Sequence, residues 1–278
     1  MSTYAFALLA AFASALCNGT TAVLQKVSAD KEKSVSTLDV RLLFRLFQDK
    51  PYSIGILLDL LGWVFTLIAV HYLPLFLVAA VIASGVIVTA LIERLFRHQK
   101  IRFRSYMAIL IIVVGLVLLA VASSSQKVRP ISDVVRYSIL LVPIPIAILG
   151  YVLARSKRYK VTIVLGILSG VAFSGTSIVG RIFKFSKPLW HTVYSPLVFS
   201  IIASGILGLL LFSIALQRAK ATVINASMLT SQTILPATIG IIFFGDVARN
   251  GMWYLVVVGI LLALIGVTFL ALGQETNN

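Results

Sequence analysis

Apolar residues run along this chain in blocks of roughly twenty, the length of helix that crosses the hydrocarbon core of a bilayer. The blocks lie near 4–27, 52–72, 75–96, 103–124, 134–154, 160–184, 194–216, 221–244 and 252–273. Lys, Arg, Ser and Pro gather between them. Only helices or closed barrels satisfy their backbone in lipid, and barrel strands would alternate apolar with polar residues, which these blocks do not. The pattern predicts an all-α polytopic membrane protein of about nine transmembrane helices. One stretch breaks the rule. Residues 34–50 carry Asp39, Arg41, Arg45, Asp49 and Lys50, too many charges for a span, yet Leu38, Leu42, Leu43, Leu46 and Phe47 recur at helical spacing. An amphipathic helix on the membrane surface is expected there.

Composition points the same way: 59% of the chain is hydrophobic and 12% charged, against about half and a quarter in soluble domains. The formal charge of +15 raises the question of nucleic acid, but its distribution answers it. Lys31, Lys33, Arg41, Arg45 and Lys50 follow the first block, and Arg97, Lys100, Arg102 and Arg104 the third. Arg155, Lys157, Arg158 and Lys160 follow the fifth, and Arg218 with Lys220 the seventh. These loops share one side. The other side holds Lys127, Arg129, Lys187 and Arg249, and no charge at Leu73–Pro74. The asymmetry reads as membrane orientation in the cytoplasmic membrane, with the N-terminus outside and the C-terminus cytoplasmic. The first apolar run lacks a basic leader and reads as a retained span. Cys17 is the single cysteine, which excludes an internal disulfide and a multi-cysteine metal site.

The chain also resembles itself. Ser14 to Lys26 reads SALCNGTTAVLQK, and Ser169 to Arg181 reads SGVAFSGTSIVGR. Overlaid without a gap, Ser14 meets Ser169, Thr21 meets Thr176 and Lys26 meets Arg181. Residues 72–90 and 219–237 both run from a short hinge into a small-residue helix. The expected layout is 4+1+4: a first half at 1–124, a connector at 125–159 and a second half at 160–278. The sixth helix comes five spans after the first, an odd step, so the halves are inverted, an arrangement of secondary transporters that puts the site near the midplane between repeats.

The polar residues inside the blocks are the candidate machinery. Asp59 lies about two turns into the second block; a charge at such depth costs on the order of 2.5–3.5 kcal/mol and calls for a partner. Lys26, in the same half of the membrane, is the expected one. The alternatives for this pair are a static ion pair, a snorkelling Lys26, or a gate or proton-coupling carboxylate. Glu93 precedes Arg97 by four residues, the spacing of a local helical pair. His71 sits beside the uncharged turn, and Arg181 with Lys184 toward the outer end of the sixth block. Asn225 and Gln232, seven residues apart, share a face of the eighth. Asn18, Thr21, Ser84, Thr176, Asn225 and Gln232 are the expected substrate-lining residues, and Lys26, Asp59, Glu93 and Arg181 the expected electrostatic or coupling ones. No HExxH, P-loop or Cys/His cluster appears, so no enzyme, cofactor or bound-metal site is read from the sequence.

Several stretches resemble the drug/metabolite transporter superfamily, in its EamA-like and NIPA-like branches. They are Leu24-Gln25-Lys26, Leu73-Pro74-Leu75-Phe76-Leu77-Val78 leading into Ile82-Ala83-Ser84-Gly85, Ala221-Thr222-Val223-Ile224 leading to Pro236, and Phe244-Gly245-Asp246. The family's third-helix acid has no match, since His98-Gln99 stand there, and Asp246 alone keeps it in the second half. The resemblance implies alternating access between inverted halves. The first reading is therefore a secondary transporter for a small metabolite or amphiphile, with the lipid bilayer and a small-molecule solute as partners, no nucleic acid, and a homodimer as an allowed assembly. The second is the NIPA-like one, a magnesium or divalent cation permease, which requires Asp59 and Glu93 to be free of basic partners and to face one cavity. The third is a membrane scaffold or a protein acting on a lipid-linked substrate.

Overall fold

The computed structural model describes residues 2–32, 37–72, 81–82, 84–96, 103–122, 141–182, 196–243, 249 and 251–275. Among them the chain is entirely helical. The helices are α1 (Ser2–Ala29), α2 (Arg41–Gln48), α3 (Lys50–Tyr72), α4 (Gly85–Phe96), α5 (Phe103–Ala122), α6 (Pro143–Ala154), α7 (Tyr159–Ile182), α8 (Pro196–Leu216), α9 (Ala221–Phe243) and α10 (Trp253–Glu275). A helix falls in each apolar block, and α2 falls in the charged stretch between the first two. Pro51, Pro143 and Pro196 stand in the first turns of α3, α6 and α8, where a missing N–H costs nothing and the fixed φ suits the helix. Gly251, at φ 77°, turns the chain into α10.

Among the described residues two helices, Ala5–Ala29 and Leu197–Leu216, are by length and composition long and apolar enough to cross a membrane. The outward faces are apolar in turn: Phe6, Leu9, Phe12 and Leu16 on α1, Leu57, Leu60 and Trp63 on α3, and Val257, Leu261 and Leu264 on α10 are all exposed. Apolar side chains in rows along several helices suit lipid and not water.

The helices pack in a regular order. α1 lies against α3 and α4, α7 against α8 and α9, and α5 against α10. Glycines set the closest approaches. A Cβ at Gly19 of α1 would stand 2.6 Å from both the Gly85 carbonyl oxygen and the Val88 Cβ of α4. One at Gly115 of α5 would stand 2.7 Å from the Ala263 nitrogen of α10. Small residues at such crossings let backbones touch where no hydrophobic effect drives helices together.

The sequence expectation for α2 is corrected in one respect. Its leucine face does not lie on lipid: Leu42, Leu43 and Leu46 are buried in the protein, in one cluster with Tyr52, Leu211, Leu216 and Ile224. Phe44 and Phe47 form the exposed edge instead. The three leucines share a stripe of the helix, and the closing end of α8 offers that stripe more contact than a lipid surface would.

Candidate functional site

Two polar systems sit inside the bundle. The first lies between α1 and α3. Gly55 and Gly62 of α3 bring the helices together: Gly55 faces Thr21, Leu24 and Gln25, and Gly62 faces Ser14, Cys17 and Asn18. Asp59 lies one turn from each glycine on the same face, between these two sets of α1 residues. Around it the oxygens are arranged in a row. The Thr21 hydroxyl donates to the Gly55 carbonyl at 2.9 Å. Ser14 and Thr66 share a 2.8 Å hydrogen bond, and the Asn18 amide donates to Ser14 Oγ at 3.3 Å. Gln25 is buried with its side-chain oxygen unpaired among the described residues. Asp59 itself makes no ion pair with any described residue.

The second system crosses between the first and last parts of the chain. Gly85, Thr89 and Glu93 recur every four residues on α4 and form one face. Thr89 Oγ1 donates toward the Gly19 carbonyl at 3.1 Å and the Gly85 carbonyl at 3.0 Å, and accepts from Asn225 Nδ2 of α9 at 2.8 Å. Glu93, 3% exposed, accepts from the Ala221 amide at 2.7 Å, from the Thr222 amide at 3.0 Å, and from the Thr222 hydroxyl. Ala221 and Thr222 open α9, so a carboxylate from another helix satisfies amides that have no partner within their own. The positive end of the α9 dipole favours a negative charge there.

Nearby, Lys26 is 7% exposed and donates at 2.5 Å to the carbonyl of Leu216, the last residue of α8, and at 2.5 Å to Asp30. Tyr52 and Ser213 share a 3.0 Å hydrogen bond, and Arg218 donates to the Ala154 and Ser156 carbonyls at 2.8 Å each, closing the end of α6.

The structure thus regroups the residues singled out from sequence. Asn18, Thr21 and Asp59 come together, but at the α1–α3 contact. Asn225 and Glu93 come together through Thr89. The expected Lys26–Asp59 pair is not formed: Lys26 meets Asp30, just past the end of its own helix, and the negative end of α8. Glu93 is drawn to the start of α9; its expected local partner Arg97 lies outside the described residues, and so does the side chain of His71. So do the side chains of Thr176 and Arg181, and Lys184, Asp246 and Ala83. Ser84 caps its own turn through the Val81 carbonyl at 2.5 Å, and Gln232 is half-buried on α9. Thr89, Asp30 and Tyr52 were missed. Thr89 was detectable, four residues before Glu93 and four after Gly85, and so was Asp30, four residues after Lys26; Tyr52 carries no such signal.

Among the described residues no three His, Cys, Asp or Glu side chains gather as a metal cage. An all-helical bundle with rows of exposed apolar side chains is consistent with a membrane protein. The chain is similar to the probable magnesium transporter NIPA9 of Arabidopsis thaliana, at 22% identity over 254 residues, covering 84% of this chain and 73% of that protein. That distant likeness supports a membrane transporter. No family model matches the chain, and no solved structure matches it.

Proposed function

We propose that this chain is a membrane transporter for a small cation, with magnesium as the first candidate, working by alternating access between two inverted halves joined by α6. The observation that carries the reading is Asp59: a carboxylate midway along an apolar helix, without a basic partner among the described residues, flanked by side-chain oxygens of α1. An intramembrane carboxylate of this kind marks an ion or proton path. Mg²⁺ sheds water reluctantly and binds through one or two carboxylates while keeping several waters, so a single carboxylate beside neutral oxygens suits it better than a closed cage would. The name borne by the distant relative points the same way.

The two-halves layout draws support from packing. Ala15 and Gly19 of α1 correspond, in the ungapped overlay, to Gly170 and Ser174 of α7. Ala15 and Gly19 meet α4 at Gly85, and Gly170 and Ser174 meet α9 at Ser231. Corresponding positions contact the third helix of each half. The metabolite reading loses its main electrostatic argument, because the Lys26 ammonium is engaged by Asp30 and the Leu216 carbonyl. Glu93 is free of a described basic partner too, but α9 occupies it, which leaves Asp59 as the cation-binding acid.

The test is magnesium uptake into proteoliposomes holding the purified protein. Wild type takes up magnesium, and Asp59→Asn abolishes uptake. The same cation at about a hundred times its dissociation constant stabilises wild type by ~2.7 kcal/mol and leaves Asp59→Asn unmoved. Equal uptake by the two proteins refutes the role of Asp59. Stabilisation by an organic solute but not by magnesium restores the metabolite reading.

A further inference from the structure

The turn between α8 and α9, residues 217–220, is held from both sides by buried charges that come from the other end of the chain. Lys26 of α1 grips the last carbonyl of α8, and Glu93 of α4 grips the first two amides of α9. Each charge meets the helix end of opposite sign: a cation at the carbonyl pole of α8, a carboxylate at the amide pole of α9. Two flanking bonds, Asn225 to Thr89 and Tyr52 to Ser213, also run between residues before 97 and residues after 196. All four ties lie where the Lys/Arg-rich loops emerge. Between them the apolar seam of Val86, Ala90, Val223 and Ala226 is buried.

We propose that Lys26 and Glu93 form a two-point clamp on the α8–α9 turn that holds this end of the bundle shut, and that its release is a step of the transport cycle; the second clause rests on the transporter reading above. The chemistry suits a latch. Lys26 keeps its ion pair with Asp30, four residues on in the chain, while its bond to α8 runs to a carbonyl and the Glu93 bonds to α9 run to two amides and a hydroxyl. What opens is a set of hydrogen bonds to helix ends, which water entering the gap replaces one for one. Charge-assisted bonds of this type contribute more than neutral ones, so the closed state is favoured while it is dry.

Val223 is the reporter. It is buried against α4 one turn inside the clamp, and Cys is close to it in size. In full-length Cys17→Ala, Val223→Cys protein in detergent, a charged, water-soluble thiol reagent reacts slowly. Adding Glu93→Gln, which keeps the shape but presents an amide N–H to the α9 amides, raises the rate by at least about tenfold, the factor that ~1.4 kcal/mol of lost closure produces. Lys26→Met does the same through the α8 end. Thr222→Val, which removes only the hydroxyl bond, gives a smaller rise and stands in if Glu93→Gln does not fold. A cysteine placed at Ala11 of α1, fully buried in a separate cluster with Ala7, Ala10 and Ala69 and about four turns from Lys26, serves as control: its reactivity stays at the wild-type rate in a folded, clamp-open protein and rises in an unfolded one.

Unchanged Val223→Cys labelling in all three variants overturns the clamp. A rise shared equally by the Ala11→Cys control shows general unfolding and also overturns it. The labelling needs no transported ion. A wild type that moves no magnesium while the variants still open at Val223 therefore defeats the transporter reading and leaves the clamp standing. Faster labelling with an unchanged rate of magnesium uptake keeps the clamp but removes its release from the cycle.

Discussion

Gly19→Ala is the sharpest test of how α1 is seated. The added methyl would lie 2.6 Å from the Gly85 carbonyl oxygen and 2.6 Å from the Val88 Cβ, both fixed by the backbone of α4. Neither can rotate away, so the helices must separate along a contact that also carries the Thr89–Gly19 hydrogen bond. Overpacking of this kind costs about 1–3 kcal/mol. Against it stands the usual gain of Ala over Gly in a helix, about 1 kcal/mol. At Gly205 of α8 nothing lies within 4 Å of an added Cβ, so the same substitution there meets only the gain. The two variants should therefore move in opposite directions in a thermal melt of the detergent-purified protein, Gly19→Ala below wild type and Gly205→Ala level with it or above. Val88→Ala should not rescue Gly19→Ala, because the clash is with Val88 Cβ and a carbonyl, and both remain. A Gly19→Ala protein that melts with Gly205→Ala would refute the close α1–α4 approach, and with it the way Thr89 and Glu93 are brought to α9.

Three other outcomes follow from the same geometry. Tyr52→Phe and Ser213→Ala each remove one side of a buried hydrogen bond and should lower stability by about 1 kcal/mol, while the double variant should cost clearly less than their sum; strict additivity in a double-mutant cycle would show the bond contributes nothing. Asp49 is held below the usual carboxylate range by hydrogen bonds from Lys31, at 2.9 Å to each oxygen. A depressed folded-state pKa stabilises above the unfolded value, near 3.9, and that stabilisation is lost as pH falls through the folded value. Stability should thus decline more steeply on acidification in wild type than in Lys31→Met, and superimposed acid limbs would count against the pair. Asp59→Asn should remove both magnesium uptake and magnesium-dependent stabilisation, read by flux into proteoliposomes and by thermal melts.

How much of this was legible in the residues themselves can be seen from the acids. Asp59 announced itself because a carboxylate in a run of Ile, Leu and Trp is expensive wherever that run folds. Lys26, the partner expected for it, is engaged elsewhere. Asp30 lies four residues on, just past the end of the same helix, and the end of α8, 190 residues away in sequence, supplies a carbonyl that no local rule could reveal. Glu93 shows the same limit. Its spacing to Arg97 suggested a local pair, yet a helix start packed across it offers two amides and a hydroxyl at once. Of the expected cavity-lining residues, Asn18 and Thr21 instead meet α3.

Block length and composition, both properties of the chain in one dimension, therefore indicated that this protein is helical and apolar enough for lipid, and which acid inside its helices demands explanation. The repeat of SALCNGTTAVLQK in SGVAFSGTSIVGR belongs to that same layer. Only the tertiary structure decided which buried charge meets which helix end and which face of α2 turns inward. Those outcomes depend on distances between helices far apart in sequence, and such distances are set by where glycines allow backbones to touch.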